Sequence, residues 1–132
     1  MPFNRSSAIL VPSGPSHDPN RKHLHIVCND PDSEGRVLLV GVTKYVNELC
    51  DDTCILADHE HPFLRCESYV IYRYSKIMTV DALEDGVSQG SFVVCEDLNL
   101  QTFLRVRNGV CRSIQTPRKI KNYFGCEKKT ND

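Results

Sequence analysis

The sequence predicts a mainly-β (α+β) fold, in which short strands form a small barrel or rolled sheet and helices pack on one side. Apolar runs separated by polar turns fill most of the chain, and helix signals gather in its last third. Its 132 residues are typical of a single domain. We expect an N-terminal strand and flexible loop in residues 1–22, a barrel core in 23–95, and a packed helical segment in 96–126.

A β-hairpin is the clearest predicted element. Residues 23–28 alternate in polarity, which places Leu24, Ile26 and Cys28 toward the core. Residues 29–35 are rich in Asn, Asp, Pro and Gly and therefore predict a turn. The almost continuous apolar run that follows at 36–43 has the length of a buried central strand.

The middle of the chain predicts two further strand segments. Residues 54–56 form a short apolar piece, and residues 68–77 alternate with a high content of aromatic and β-branched side chains. Residues 78–80 are expected to extend that strand. Residues 81–90 predict a loop or one helical turn, and 92–95 fit either a strand or a helix start.

Two helices are expected near the C-terminal end. Acidic residues precede basic ones over 96–107, which suits the helix dipole, and Asn108-Gly109 predicts its end. Thr116 is a good N-cap and Pro117 a good first residue for a second helix. The last six residues are expected to fray.

Charge and apolar content exclude some classes of function. A net charge of −1 argues against a general DNA-coating protein, which needs a large positive excess. No stretch approaches the ~20 apolar residues of a membrane span, and the apolar run at 8–11 is too short for a signal peptide. We therefore expect a cytoplasmic protein with no membrane association, in which most of the seven cysteines are free buried thiols.

Residues 58–65 carry the densest set of reactive groups. His59 and His61 can exchange protons near neutral pH, and Arg65 can bind phosphate oxygens. Because this segment precedes a strand, it would be held at a sheet edge, where sites are often built. The alternative is a polar surface loop that only packs Phe63 inward.

Three other candidate sites have structural alternatives. A zinc site could draw on His and Cys side chains, although the usual zinc spacings are absent. Its possible ligands are His23, His25, Cys50, Cys54, His59 and His61. The spacing of His23 and His25 predicts that both rings lie on one face of a strand, and the alternative is that this face is exposed. Cys66 could be a nucleophile beside Arg65, or a structural cysteine. Residues 118–124 could contact RNA through lysines and aromatic rings, or form an amphipathic helix that buries Ile120 and Phe124.

The order of several features resembles that in the PemK/MazF-like bacterial proteins. These features are the hairpin, the 54–56 segment, and His61-Pro62-Phe63-Leu64 followed by the strand at 68–72. The resemblance covers about residues 22–80, and the segment with Ser113 and residues 116–121 is similar to the tail of divergent members. It implies an SH3-like β-barrel with C-terminal helices. Many members are toxins of toxin–antitoxin pairs that cut single-stranded RNA without a metal.

The resemblance also implies a mechanism and partners. His61, with His59 as its partner, would be the base or acid when the RNA 2′-hydroxyl attacks phosphorus, and Arg65 would stabilise the phosphorane. Ser68, Arg73, Lys119 and Lys121 would bind the RNA. No metal or cofactor is required; an antitoxin protein and a homodimer are further expected partners. The alternative is a non-catalytic SH3-like interaction module that binds protein or nucleic acid.

Overall fold

Six antiparallel strands form one sheet in the computed structural model, which describes residues 3–14, 16–18 and 20–126. Their spatial order is β4-β5-β3-β2-β1-β6, and the sheet curls into a half-barrel. The predicted mainly-β fold with C-terminal helices is confirmed. The strands are β1 (Ala8–Pro12), β2 (Lys22–Val27), β3 (Arg36–Lys44), β4 (Ile55–Leu56), β5 (Ser68–Thr79) and β6 (Val93–Cys95). The helices are α1 (Val80–Ser88), α2 (Leu100–Arg112) and α3 (Arg118–Phe124), with a 3-10 turn at Asp58–Glu60.

Helices cover both faces of the sheet. The larger apolar cluster lies on what we call the α2/α3 face, where Phe103 of α2 and Ile120 of α3 are buried. The smaller cluster lies on the opposite face, the α1 face, and includes Leu83 of α1. Burial on both sides explains the continuous apolar run of β3, because consecutive strand residues point to opposite faces.

The predicted inward side chains of β2 are confirmed. Leu24, Ile26 and Cys28 all belong to the larger cluster. The alternate residues, however, are not exposed: His25 is 5% exposed, and Val27 is buried in the smaller cluster. The alternation of polar and apolar residues in β2 therefore predicted one buried face of this strand, but it did not predict that the opposite face is buried too.

The helix boundaries differ from the sequence prediction at α1, at both ends of α2 and at the start of α3. Most of the segment 81–90, predicted as a loop or one turn, belongs to the nine-residue helix α1, which is capped by Thr79, whose hydroxyl oxygen accepts a hydrogen bond from the Ala82 N–H at 3.1 Å. Val80, predicted to extend β5, is the first residue of that helix.

α2 begins at Leu100, after an Asn99 cap. The predicted stop at Asn108-Gly109 was wrong, since α2 continues through Gly109 to Arg112. The predicted Thr116 cap was wrong: Pro117 is the N-cap, α3 begins at Arg118, and the buried Thr116 hydroxyl has no hydrogen-bond partner among the described residues. The predicted fraying of the last six residues lies outside the described residues.

An irregularity in β5 brings a tyrosine to the surface. Cross-strand pairing jumps from Leu39–Lys76 to Gly41–Ile71, so β5 inserts extra residues opposite Val40. Such bulges bend a strand and redirect side chains. Tyr74, inside the inserted segment, is 69% exposed.

The cysteines divide into one disulfide and five free thiols. Cys111 in α2 is bonded to Cys126 just after α3, which ties the two helices together. The free thiols are Cys28, Cys50, Cys54, Cys66 and Cys95, of which Cys28 and Cys54 are buried. The expectation that most cysteines are free is confirmed, but three of the five are only partly buried.

Candidate functional site

The loop that carries the predicted catalytic histidines joins the two edges of the sheet. His61 is 4% exposed, and both of its ring nitrogens are engaged. Nε2 lies 2.6 Å from the carbonyl oxygen of Glu96, while Nδ1 accepts a hydrogen bond from the Phe63 N–H at 3.0 Å. Nδ1 is therefore unprotonated and Nε2 carries the proton. Since His61 follows β4 and Glu96 follows β6, this contact connects the two edge strands of the half-barrel.

Glu60 fastens the same loop to α2. Its carboxylate accepts hydrogen bonds from the Ala57 N–H at 2.8 Å and the Thr102 hydroxyl at 2.8 Å, and it forms an ion pair with Arg105. Burial alone would raise the pKa of Glu60, but these hydrogen bonds outweigh it and lower the pKa below its ordinary value. The loop is thus held by several polar contacts to distant parts of the chain.

Replacing His61 by Ala should lower the free energy of unfolding by about 1–3 kcal/mol, because the Glu96 carbonyl and the Phe63 N–H would lose their partner. The exposed His59, two residues away, provides a matched control. His59→Ala should change the stability by no more than about 0.5 kcal/mol. Urea denaturation of both variants measures the difference, and equal stabilities would contradict the anchoring role of His61.

The other predicted site residues do not converge on that loop. Arg65 is exposed, and no hydrogen bond within the described ranges joins it to His61. Ser68 is buried and its hydroxyl donates to the Cys66 carbonyl at 3.0 Å. Arg73 is exposed, with its guanidinium carbon 5.8 Å from the centroid of the Tyr74 ring. Lys119 and Lys121 belong to α3, and no hydrogen bond within the described ranges joins either of them to His61.

A cavity on the α1 face brings together different residues. His25 pairs with Ile9 of the smaller cluster on one side and with Gly41 on the other, and Gly41 pairs with Ile71. Directly opposed residues share a face, so this row runs across the sheet on the α1 side. We call the cavity above it, about 430 Å³ in volume, the histidine pocket; its lining is Ser13, His23, His25, Gly41, Ile71 and Tyr74.

His25 forms the polar floor of the histidine pocket. Its Nδ1 donates a hydrogen bond to the His23 carbonyl at 3.0 Å, which leaves Nε2 as an acceptor. Within the described part of the chain, Nε2 has no hydrogen-bond partner. A side chain on Gly41 would place its Cβ 3.2 Å from that nitrogen. Glycine at this position therefore keeps the acceptor uncovered.

The two pocket histidines favour the neutral form. Burial lowers the pKa of His25 to about 4; the positive charge of Lys76 acts in the same direction, while the hydrogen bond to the His23 carbonyl opposes it. Burial and the charge of Arg21 also lower the pKa of His23, whose Nδ1 lies 2.8 Å from the Ser13 hydroxyl oxygen. At pH 7 the pocket floor is thus an uncharged hydrogen-bonding surface.

No protein-family model matches this sequence, and no curated protein matches it. The PemK/MazF resemblance and the RNA cleavage that it implies therefore stay predictions. In residues 3–14, 16–18 and 20–126, no helix is both long and apolar enough to cross a bilayer. In the same ranges, no three His, Cys, Asp or Glu side chains meet in a set that could hold a metal ion.

The sequence contained only a partial signal for the histidine pocket. The spacing of His23 and His25 predicts a shared strand face, which is confirmed because both side chains line the pocket. Gly41, which interrupts an otherwise apolar strand, is a recognisable sign of close approach. The position of Tyr74 depends on the β5 bulge, which local sequence patterns do not specify.

Proposed function

We propose that this protein is a non-catalytic binding module that holds a base of single-stranded RNA in the histidine pocket. The observation that carries the proposal is the unpartnered Nε2 of the buried His25 side chain, in a pocket that the exposed Tyr74 also lines. This corresponds to the nucleic-acid form of the interaction module expected as an alternative to the ribonuclease.

The size and lining of the pocket suit a nucleic-acid base. Its volume of about 430 Å³ falls within the ~300–1,000 Å³ of typical ligand pockets. Ile71 supplies an apolar wall, and the ring of Tyr74 is available for stacking. Stacking of a base on an aromatic side chain contributes about 1–3 kcal/mol and tolerates any base.

The His25 acceptor adds a polar requirement. Base edges carry N–H groups that can donate to Nε2, and a ligand that covers this acceptor without a hydrogen bond incurs a cost of about 1–3 kcal/mol. Because the pKa of His25 is about 4, the acceptor stays available at neutral pH. A purely apolar ligand would bury Nε2 without a hydrogen bond and is disfavoured.

Positive charge near the pocket suits a phosphate backbone. Arg73 lies against Tyr74, and the charges of Lys76 and Arg21 influence the pocket histidines. The six lining residues include no carboxylate. Local positive charge of this kind is compatible with the net charge of −1, because binding one short segment of RNA needs only a few phosphate contacts.

The state of His61 and His25 supports binding without cleavage. Both nitrogens of His61 are engaged in contacts that hold the fold. A catalytic acid or base works best with a pKa near the operating pH, and the pKa of His25 is far below it. Neither histidine is therefore placed to exchange a proton with RNA at pH 7.

Tyr74→Ala should weaken binding of a labelled single-stranded RNA octamer by about ten- to hundred-fold, the equivalent of one stacked base. Fluorescence anisotropy in EDTA measures the affinity, and a duplex of the same sequence should bind more weakly because its bases are already stacked. The double variant Lys119→Ala/Lys121→Ala is the matched control, since those lysines lie on the α2/α3 face. It should bind like the unmodified protein.

Three outcomes would count against this function. Equal affinity of Tyr74→Ala and the unmodified protein would remove the histidine pocket as the RNA site, and a loss confined to the lysine variant would move the site to α3. Shortening of the RNA in EDTA would support the endoribonuclease instead, and His61→Ala would then test whether His61 takes part. The antitoxin partner, the homodimer and the cytoplasmic location stay predictions.

A further inference from the structure

A second cavity lies on the other side of the molecule from the histidine pocket. It has a volume of about 380 Å³ and is bordered by the end of β2, by α2 and by α3. Cys28 and Phe124, which line it, belong to or pack against the larger cluster of the α2/α3 face. We call it the arginine groove; its lining is Arg5, Cys28, Asn29, Asp30, Arg107 and Phe124.

Arg107 is the cation of the groove that has no acidic neighbour. It is half-buried on α2, and its guanidinium carbon lies 5.9 Å from the centroid of the Phe103 ring. No carboxylate in the described residues lies within salt-bridge distance of it. The ring contact restricts the guanidinium without neutralising its charge.

Arg5 is held in position by Asp30. Its guanidinium Nη2 lies 3.2 Å from Asp30 Oδ2, and its main-chain N–H donates to Oδ1 at 3.1 Å. The remaining guanidinium donors of Arg5 are available, because arginine offers five N–H groups. The lining thus holds two guanidinium groups against a single carboxylate.

The other polar groups of the lining, Cys28 and Asn29, add no negative charge to the groove. Burial raises the pKa of the Cys28 thiol to about 12, so this thiol is neutral at pH 7. The Asn29 amide is already used, since its oxygen accepts from the Leu38 N–H at 2.7 Å and its nitrogen donates to the Tyr123 hydroxyl at 3.2 Å. The net positive charge of the lining is therefore unopposed.

We propose that the arginine groove binds a small phosphorylated ligand, with its phosphate on Arg107 and Arg5 and its apolar part against Phe124. Guanidinium groups match the oxygen spacing of a phosphate and donate to it in pairs. A partly buried aromatic ring at the same cavity favours a ligand with a flat or apolar portion. The site is separate from the histidine pocket and does not depend on RNA binding there.

Phenyl phosphate is a suitable probe, because it combines the phosphate with one ring. Titration followed by two-dimensional NMR of the ¹⁵N-labelled full chain should give saturable shifts at residues around the groove, Asn29 and Phe124 among them. Arg107→Met, which keeps the apolar stem but removes the charge, should weaken binding at least tenfold. Arg107→Lys should weaken it less, because it keeps the charge and loses the paired donors. Phenol should give no saturable shifts there.

Arg112→Met is the matched control, since Arg112 is exposed at the end of the same helix and does not line the groove. Its affinity for phenyl phosphate should equal that of the unmodified protein. Absence of saturation, or equal weakening by Arg107→Met and Arg112→Met, would overturn the proposal. Arg107→Met should leave the affinity for single-stranded RNA unchanged, which separates a failure of this site from a failure of the histidine pocket.

Discussion

Gly109→Ala is expected to destabilise the protein by about 2 kcal/mol or more, although alanine is normally the better helix residue. An added Cβ would lie 1.9 Å from the Tyr72 hydroxyl oxygen and 2.4 Å from the ring carbon that bears it. Tyr72 is fully buried and donates a hydrogen bond to the Val106 carbonyl at 2.7 Å, so its ring cannot move without losing that bond. Overpacking of this kind typically costs about 1–3 kcal/mol and occasionally more.

The helix preference of alanine opposes this clash, but its contribution to stability is smaller. Replacing glycine by alanine inside a helix stabilises it by about 1 kcal/mol, so the clash determines the sign. Asn108→Ala, at the preceding exposed position of α2, is the control and should change the stability by no more than about 0.5 kcal/mol. Urea denaturation measures both. If Gly109→Ala were as stable as the unmodified protein, the packing of α2 on Tyr72 would be wrong.

Acidification from pH 6.5 to about 4 is expected to lower the free energy of unfolding by up to about 3 kcal/mol through His25 alone. Burial lowers the pKa of His25 to about 4 in the folded protein, whereas the unfolded chain titrates near 6.5. In this window the unfolded chain binds a proton that the folded protein does not. The contribution of the neutral His25 to the free energy of unfolding is therefore fully present above pH 6.5. It is lost as the pH falls from 6.5 to about 4.

His25→Asn should flatten the dependence of stability on pH between 6.5 and 4, because the titrating group is removed. His23→Asn should have a smaller effect, since His23 is less buried and its lowered pKa is also influenced by Arg21. At lower pH, protonation of carboxylates such as Asp32 determines the pH dependence of stability. Hydrogen bonds, of which that from the Arg36 N–H is the largest cause, lower the pKa of Asp32 to about 2. An unchanged slope in His25→Asn would show that His25 is not the group responsible.

The candidate site shows how much local patterns can predict. The spacing of His23 and His25 correctly placed both rings on one face of a strand, but it did not show that this face is buried. The residue types at 58–65 predicted a site for proton transfer and phosphate binding. In the fold, its buried histidine binds the carbonyl of Glu96, 35 residues away in the chain, and its glutamate binds Thr102, 42 residues away.

By itself, the sequence determined the strand-rich fold, the inward side chains of β2, the buried character of β3 and the start of α3 near Pro117. Each of these depends on neighbours a few positions along the chain, through alternation, apolar runs and the proline that precedes a helix. Only the tertiary structure decided that His61 joins the sheet edges, that His25 lies beneath a pocket and that Gly109 makes room for Tyr72 rather than ending a helix. These roles depend on which distant groups come into contact, and short-range patterns carry no information about such partners.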